Sequence, residues 1–326
     1  MMRSDHSDAE VLARMEQWLG SVGSELPRIG DGMAAYLQGG KRLRAGLLIA
    51  IAVRGPKVDE ERAARYAMFV ELMHAGGLCH DDVVDRSSTR RGRPSIGAAH
   101  GERAAAIGGM YLMTRAYGLI AGEDDTIRSL AAEFGQRVAR GQAREMTDLY
   151  DERVSEIDYL ARISDKTGAL FELAAALGGE AGGYSDAARV ALCEYAMHAG
   201  VAFQLADDVR DIVGGATLGR ERGTDLREGV YTLPTLRALR NEGGTGLGLL
   251  LRRLRIERSQ ELAERCCDIV VERGGIARAI QLIEQHLVVA RAIAASSGAL
   301  AKPLESLLRS LSGDYEMHGI RHAHGM

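Results

Sequence analysis

The sequence has little that would build a sheet or interrupt a helix. Of its 326 residues only 5 are proline, and aromatic side chains make up 5%. Scarce proline leaves long stretches free to stay helical. The β-branched alternation of a half-buried strand is hard to find, whereas Ala, Leu, Arg and Glu abound. That excludes sheet-based folds and predicts an all-α protein. Cysteine is as sparse: Cys79, Cys193, Cys266 and Cys267 form no C-x-x-C, so neither a zinc site nor a disulfide framework is indicated. No apolar stretch approaches the ~20 residues that cross a bilayer; the run Ala45–Val53 falls far short. There is no excess of positive charge either. A net charge of −4 removes the electrostatic basis for nucleic-acid binding. The opening Met1-Met2-Arg3-Ser4-Asp5-His6-Ser7-Asp8 is polar and acidic, unlike a signal peptide. These absences predict a soluble, cytoplasmic, reduced protein with no transmembrane segment. We read it as a single domain over 1–326 with short flexible N- and C-terminal tails.

What the sequence does contain is a repeated acidic pattern. His80-Asp81-Asp82-Val83-Val84-Asp85 follows the mostly apolar Phe69-Val70-Glu71-Leu72-Met73. On a helix of ~3.6 residues per turn, Asp81 and Asp85 lie one above the other with Asp82 beside them. Ionised carboxylates on one face repel one another unless a cation sits among them. Hard divalent cations such as Mg²⁺ take oxygen ligands and share them with substrate phosphates. A lone triplet reads more readily as a solvated acidic face. The pattern recurs, however, in Phe203-Gln204-Leu205-Ala206-Asp207-Asp208-Val209-Arg210-Asp211, again behind an apolar run. The pair is far more specific than either member. It predicts facing carboxylate clusters that hold a polyanion through metal ions.

Taken in order, the chain predicts a helix over Ala9–Gly20, then Gly39-Gly40-Lys41-Arg42-Leu43-Arg44 leading into the apolar helix Ala45–Val53. A Gly-Gly turn and cations at a helix start suit a diphosphate; solvated basic residues are the plainer alternative. A long helix, Glu60–Val84, carries the first triplet, and Arg86–Ser95 is a polar loop with Arg90 and Arg91. Gly97–Ala121 reads as a helix pair broken near Gly108-Gly109. Helices Asp125–Tyr150 and Ile157–Leu177 follow, the second interrupted by the polar Asp165-Lys166-Thr167-Gly168. A buried lysine needs an anion, which substrate phosphate would supply if Lys166 faces the carboxylates; facing outward, Lys166 is ordinary. Gly178-Gly179 and Gly182-Gly183 mark a turn, Asp186–Val213 carries the second triplet, and Gly214–Tyr231 reads as a mobile flap. Leu249–Leu311 is regular amphipathic helix without chemical groups in constellation, and Cys266, Cys267 and His286 there read as packing. His318, His322 and His324 resemble a metal tract only weakly.

The blocks Gly39-Gly40-Lys41-Arg42-Leu43-Arg44, Glu71-x-x-His74, the first triplet, Arg90-Arg91-Gly92-x-Pro94-Ser95, Gly141-Gln142, Lys166-Thr167, the second triplet and Asp225-Leu226-x-x-Gly229-x-x-Thr232-Leu233-Pro234 occur in one order. In that order they resemble the trans-isoprenyl diphosphate synthases (the polyprenyl synthetase family) over nearly the whole chain. The resemblance implies an orthogonal helical bundle around a deep central cavity, usually homodimeric. It implies head-to-tail joining of isopentenyl diphosphate to an allylic diphosphate, with Mg²⁺ as cofactor. On this reading Asp81, Asp82, Asp85, Asp207, Asp208 and Asp211 are the metal ligands, Asp211 less directly. Arg90, Lys166 and Gln204, with Thr167, serve the allylic substrate and its ionisation. Lys41, Arg44, His74 and Arg91 hold the diphosphate of isopentenyl diphosphate. The sequence departs from the family at Val230, where a lysine is usual, and Arg220 or Arg222 is the candidate replacement. Ala45, Gly97 and Met110 also depart, and no departure removes a metal ligand.

Product length in the family is set about one turn before the first aspartate. Gly76 and Gly77 stand there, so the stop is expected deeper, at Met73, Val70 or Phe69, with a product longer than farnesyl. Three other readings compete with this one. Glu71-x-x-His74 has ferritin-like di-metal spacing, but no second copy is found, since Glu194 and His198 are offset by four. A terpene cyclase would replace the second aspartate triplet. A non-catalytic or regulatory subunit of a heteromeric synthase would tend to lose aspartates, and all six are present.

Overall fold

The computed structural model describes residues 8–23, 25–27, 29–214, 221–241 and 244–317. Among them lie sixteen α-helices and one two-stranded ribbon, the all-α class that the composition predicts. The flap residues 215–220, Arg220 included, and the tail histidines His318, His322 and His324 lie outside the described residues. No described helix is long and apolar enough to cross a membrane. The chain divides into two compact units. One comprises Met1–Gly135, Leu170–Glu194 and Ser297–Leu304; the other comprises Gln136–Ala169, Tyr195–Ser296 and Glu305–Met326.

The first unit is built on α4 (Glu60–Val84), which packs against α1 (Asp8–Gly23), α3 (Leu43–Ala52) and α6 (Glu102–Ile120). The boundaries of α4 are those the sequence predicts. Asp59 caps its start by accepting from the Arg62 N–H at 2.9 Å. Tyr66, Phe69, Val70 and Leu72 are buried on different faces, as expected of a helix wrapped by others. Its closest neighbour is α6. A Cβ built on Gly76 would come within 2.9 Å of the Gly109 carbonyl, and one on Gly109 within 2.9 Å of the Gly76 carbonyl. Only glycines permit that approach.

This contact corrects one expectation. Gly108-Gly109 does not break the helix: α6 runs straight through them, and the glycines serve packing. The break falls at Gly101 (φ +92°), after α5 (Ile96–His100). Likewise Gly178-Gly179 lies inside α9 (Ala169–Ala181), where Gly178 meets the Leu48 carbonyl, and the turn comes at Gly182-Gly183. The stretch read as a polar loop is a hairpin, β1 (Thr89–Arg90) against β2 (Arg93–Pro94). Arg91 and Gly92 form its turn, with φ of 52° and 73°, the paired positive angles of a tight hairpin turn.

The second unit packs α12 (Leu233–Arg240) on α13 (Gly244–Glu257), α14 (Gln260–Glu272) and α15 (Gly275–Ser296). Leu236, Cys266, Cys267, Val270 and Ile283 form a fully buried core, so the cysteine pair is packing, as read. His286 is more than packing filler. Its Nδ1 lies 2.8 Å from Nδ1 of His198, and burial together with that neighbour lowers its pKa to about 4.

Candidate active site

In the first unit the C-terminal end of α4 presents Asp81, Asp82 and Asp85. Asp81 and Asp85 are half-buried, whereas Asp82 is 3% exposed. Both Asp82 oxygens are engaged. Tyr36, at the end of α2 (Gly30–Leu37), donates its hydroxyl to Oδ2 at 3.0 Å. Arg90 on β1 donates to Oδ1 through Nε at 2.9 Å and through a second guanidinium nitrogen. A charge-assisted pair of this kind fixes the direction of both partners. The hairpin turn then sends Arg91 elsewhere, onto the Gly39 carbonyl at 2.9 Å. Gly40 (φ +94°) has no side chain because Arg91 fills that space: a Cβ there would sit 2.8 Å from the guanidinium carbon. Tyr36, Gly39, Gly40, Arg90, Arg91 and Arg93 line a common cavity of about 600 Å³.

The three cations of the Gly-Gly block separate in role. Arg42 turns inward in a left-handed conformation (φ 47°) and bonds Glu16 at 2.6 Å, Glu71 at 2.9 Å and the Leu37 carbonyl at 2.6 Å. It is a clamp on the loop. The same bond occupies Glu71, which removes it as a metal ligand of the ferritin kind. Lys41 is exposed beside it. Arg44 lies over the Phe171 ring at 4.6 Å and 3.4 Å from Nε2 of His74. Burial lowers the Arg44 pKa to about 10. Burial, then the charges of Arg44, Arg91, Arg90 and Arg42, hold His74 well below the usual imidazole range. His74 is therefore a neutral ring among four cations, and Nε of Arg44 has no partner. A guanidinium with a buried, orphan N–H and several like charges nearby suits an anion.

In the second unit α10 (Asp186–Val213) carries the other triplet. Asp208 parallels Asp82: it is 3% exposed, accepts from the Tyr159 hydroxyl on Oδ2, and accepts from Gln204 Nε2 on Oδ1 at 2.8 Å. Thr167 donates to Gln204 at 2.8 Å, which fixes the amide's orientation. Asp211 accepts from the backbone N–H groups of Thr224 and Asp225. Asp207 is about half exposed and faces Arg210 at 3.2 Å. Lys166 finds its anion in Glu145, 2.5 Å away, not in a phosphate alone. It stands in a π-helical turn, Ser164–Gly168, inserted before α9. Asp165 in that turn is gripped by Arg137, Arg140 and Arg144 of α7 (Asp125–Thr147). Gly141 allows α7 to come this close, since a Cβ would meet the Lys166 backbone N at 2.4 Å. Arg222, proposed to replace the missing lysine, bonds the Ile212 carbonyl and Asp268 instead. Val230 is buried.

Sequence reasoning missed Tyr36 and Tyr159, and it gave Glu145 and Asp225 no role. At Asp225, burial and then Asp211, Asp208 and Asp207 push the pKa well up. Burial likewise raises Asp208 to about 7 and Asp211 to about 6. Three carboxylates raised by burial and by the charge of Asp207 suit a hard divalent cation, and the donor set is all oxygen. Among the described residues no three His, Cys, Asp or Glu side chains form a preformed cage. A cation that shares its shell with phosphate oxygens needs only one or two carboxylates at a time. The pH consequence has a definite sign. Folded-state values above the ordinary 3.8 mean that the folded protein holds more protons. Stability from these groups is full below pH ~4 and is lost as pH rises through about 6 to 7. Metal-free protein should therefore show Tm falling from pH 5 to 8. Mg²⁺ should offset the fall, and Asp208→Asn should flatten it.

Of the length residues, Phe69 and Val70 are buried, and Phe69 meets the Tyr117 ring edge-on at 5.8 Å. Met73 is half-buried. The two glycines differ. Gly76 is packed against Met113 and Gly109 of α6, so it adds no space, while nothing lies within 4 Å of a Cβ built on Gly77.

Comparison with known proteins follows the same lines. The sequence profile of the family described as "Polyprenyl synthetase" matches residues 27–269. An octaprenyl diphosphate synthase of Haemophilus influenzae is 34% identical over 273 residues, covering 83% of each chain. A nonaprenyl diphosphate synthase of Mycobacterium tuberculosis is 34% identical over 287 residues, 86% of this chain and 84% of its own. A polyprenyl synthase from Caulobacter crescentus, solved with calcium and isoprenyl diphosphate, superposes with a TM-score of 0.84 at 28% identity. That match covers 93% of this chain and 94% of the other.

Proposed function

The chain belongs to the polyprenyl synthetase family, and on that premise we propose that it joins isopentenyl diphosphate head-to-tail to an allylic diphosphate, giving a polyprenyl diphosphate longer than farnesyl. The family match runs unbroken across both units, which supports treating 1–326 as one working domain. One observation carries the proposal: both aspartate triplets are intact, and in each the middle aspartate is braced by a tyrosine and a second polar side chain. The carboxylates Asp81, Asp82, Asp85, Asp207, Asp208 and Asp211 would hold Mg²⁺, Asp211 less directly, with the bonds to Asp82 and Asp208 fixing the direction of those two. When bound, the metal neutralises the charge that grows on the departing diphosphate.

The chain's own residues do the rest. Arg90, held on Asp82, and Lys166, held on Glu145, would add to that neutralisation. Pairing with Asp82 and Glu145 pre-orients them, so little reorganisation is needed as the C–O bond breaks. Gln204, locked by Thr167, keeps Asp208 in register. Lys41, Arg44, His74 and Arg91 receive the second diphosphate, with neutral His74 contributing a ring nitrogen and not a charge. The apolar Met73, Val70 and Phe69 would flank the growing chain and keep water from the allylic cation. No separate side-chain base is assigned; the released diphosphate takes the proton.

We further propose a cytoplasmic homodimer. The four cysteines are free thiols, in keeping with a reducing compartment. Ile107 and Met110 are exposed apolar residues on one helix, at 54% and 55%, and cover by a second copy would bury them. The decisive assay incubates purified protein with Mg²⁺, isopentenyl diphosphate and geranyl, farnesyl or geranylgeranyl diphosphate, reading products by mass. Products of roughly C25–C40 are expected, since each unit must fit between packed helices. Geranyl or farnesyl diphosphate as the main product would overturn the length, and no product from any primer would overturn the activity of the chain by itself.

A further inference from the structure

We propose that Tyr36 is a positioning residue that couples the two diphosphate sites of the first unit. The inference rests on the functional reading above and adds a residue that motif matching does not supply. Tyr36 stands at the last turn of α2, two residues before Gln38-Gly39-Gly40. Its hydroxyl donates to Asp82 Oδ2 at 3.0 Å, while Arg90 takes Oδ1 at 2.9 Å. Its backbone leads straight into the loop whose Gly39 carbonyl accepts from Arg91 at 2.9 Å. One side chain is thus tied to the metal triplet and the allylic cation Arg90. The same residue's main chain carries the loop that places Arg91 for the other substrate. Tyr36, Gly39, Gly40, Arg90 and Arg91 line one cavity, so the two ties meet in a single space.

The geometry explains how occupancy of one site is felt at the other. Asp82 is buried, and its oxygens are shared between Tyr36 and Arg90 alone among the bonds described. A diphosphate bound by Arg90 draws on the guanidinium that Asp82 also holds, so Asp82 depends more on its Tyr36 bond and the end of α2 is held harder. The Gly-Gly loop, having no side chains of its own to brace it, takes its position from that helix end and from Arg91. Binding at the metal-side site therefore orders the loop, and by reciprocity the loop's ligand tightens the metal-side site by the same factor.

The test is calorimetry on the full chain, wild type and Tyr36→Phe, with two probes. One is Mg²⁺ with the unreactive thiolo analogue of farnesyl diphosphate; the other is isopentenyl diphosphate, added alone and after the first. Wild type should bind isopentenyl diphosphate more tightly once the first probe is in place. Y36F should bind the Mg²⁺–analogue pair about tenfold more weakly, the value of one hydrogen bond to a charged group, and should lose the enhancement entirely. The enhancement surviving in Y36F would overturn the proposal. Wild type binding neither probe would overturn the functional reading instead. Hydrogen exchange on the wild-type chain provides a second arm should Y36F fold poorly: the Mg²⁺–analogue pair must slow exchange at Gly39 and Gly40, and unchanged exchange there would overturn the proposal.

Discussion

Asp81→Asn is expected to lower kcat by about 10³-fold, at the upper end of what loss of one preorganised charge-stabilising group costs, while leaving Tm within a few degrees of wild type. Asp81 is half-buried at the solvent end of α4, one turn from Asp85, so an amide of the same shape leaves the helix and its packing alone. What is lost is a negative oxygen where a hard cation would be held. Asp82→Asn makes the contrast. Asp82 is 3% exposed and carries the Tyr36 and Arg90 bonds. Neutralising it leaves Arg90 without its buried partner, a change of the kind that costs about 3–5 kcal/mol. D82N should therefore lose stability and activity together, whereas D81N should lose activity alone. Kinetics beside thermal melts separate them. A D81N enzyme within tenfold of wild-type kcat would remove Asp81 from the reacting site.

How far such assignments can be read from sequence depends on how local the contact is. The helix carrying the first triplet was legible to its last residue, because Asp59 caps it and Gly55-Pro56 precedes it. The identity of the paired triplets was legible for the same reason, their spacing being internal to one helix each. Glycine was the ambiguous letter. Gly101 and Gly182-Gly183 end helices, but Gly76, Gly109, Gly141 and Gly178 let two backbones touch, and only the partner backbone tells the two uses apart. Partner choice was the other gap. Tyr36 and Asp82 are 46 positions apart, and Tyr159 and Asp208 are 49 apart. Lys166 announced its need for an anion, yet nothing local in the chain named Glu145, 21 positions away. Arg42 and Arg44 are separated by one residue and are used differently: one is a clamp on Glu16 and Glu71, and the other lies over Phe171 with its Nε unpartnered. Two cations in one motif look alike until their acceptors are known.

Gly77→Phe should cut the product to about the farnesyl or geranylgeranyl range, whereas Gly76→Phe should fail to fold. Helical spacing of ~3.6 residues places Gly77, Met73 and Val70 below Asp81 at successive turns, each ~5.4 Å deeper. A chain hung from a diphosphate at Asp81 would pass Gly77 first. Nothing lies within 4 Å of a Cβ at Gly77, so an aromatic ring has room to enter and block the path. At Gly76 the space is already taken: a Cβ would sit 2.8 Å from the Met113 side chain and 2.9 Å from the Gly109 carbonyl. Backbone cannot yield as a side chain can. Even alanine there should cost about 1–3 kcal/mol by overpacking the contact between α4 and α6. The wild-type stop then belongs deeper, where Phe69 meets Tyr117 edge-on and Val70 is fully buried. Replacing Phe69 by alanine should lengthen the product beyond wild type, which gives the argument a second direction. Mass analysis of products from the same primer reads both changes. An unaltered product spectrum in a folded, active G77F enzyme would mean that the growing chain does not descend this face of α4, and the length determinants would have to be sought on another helix.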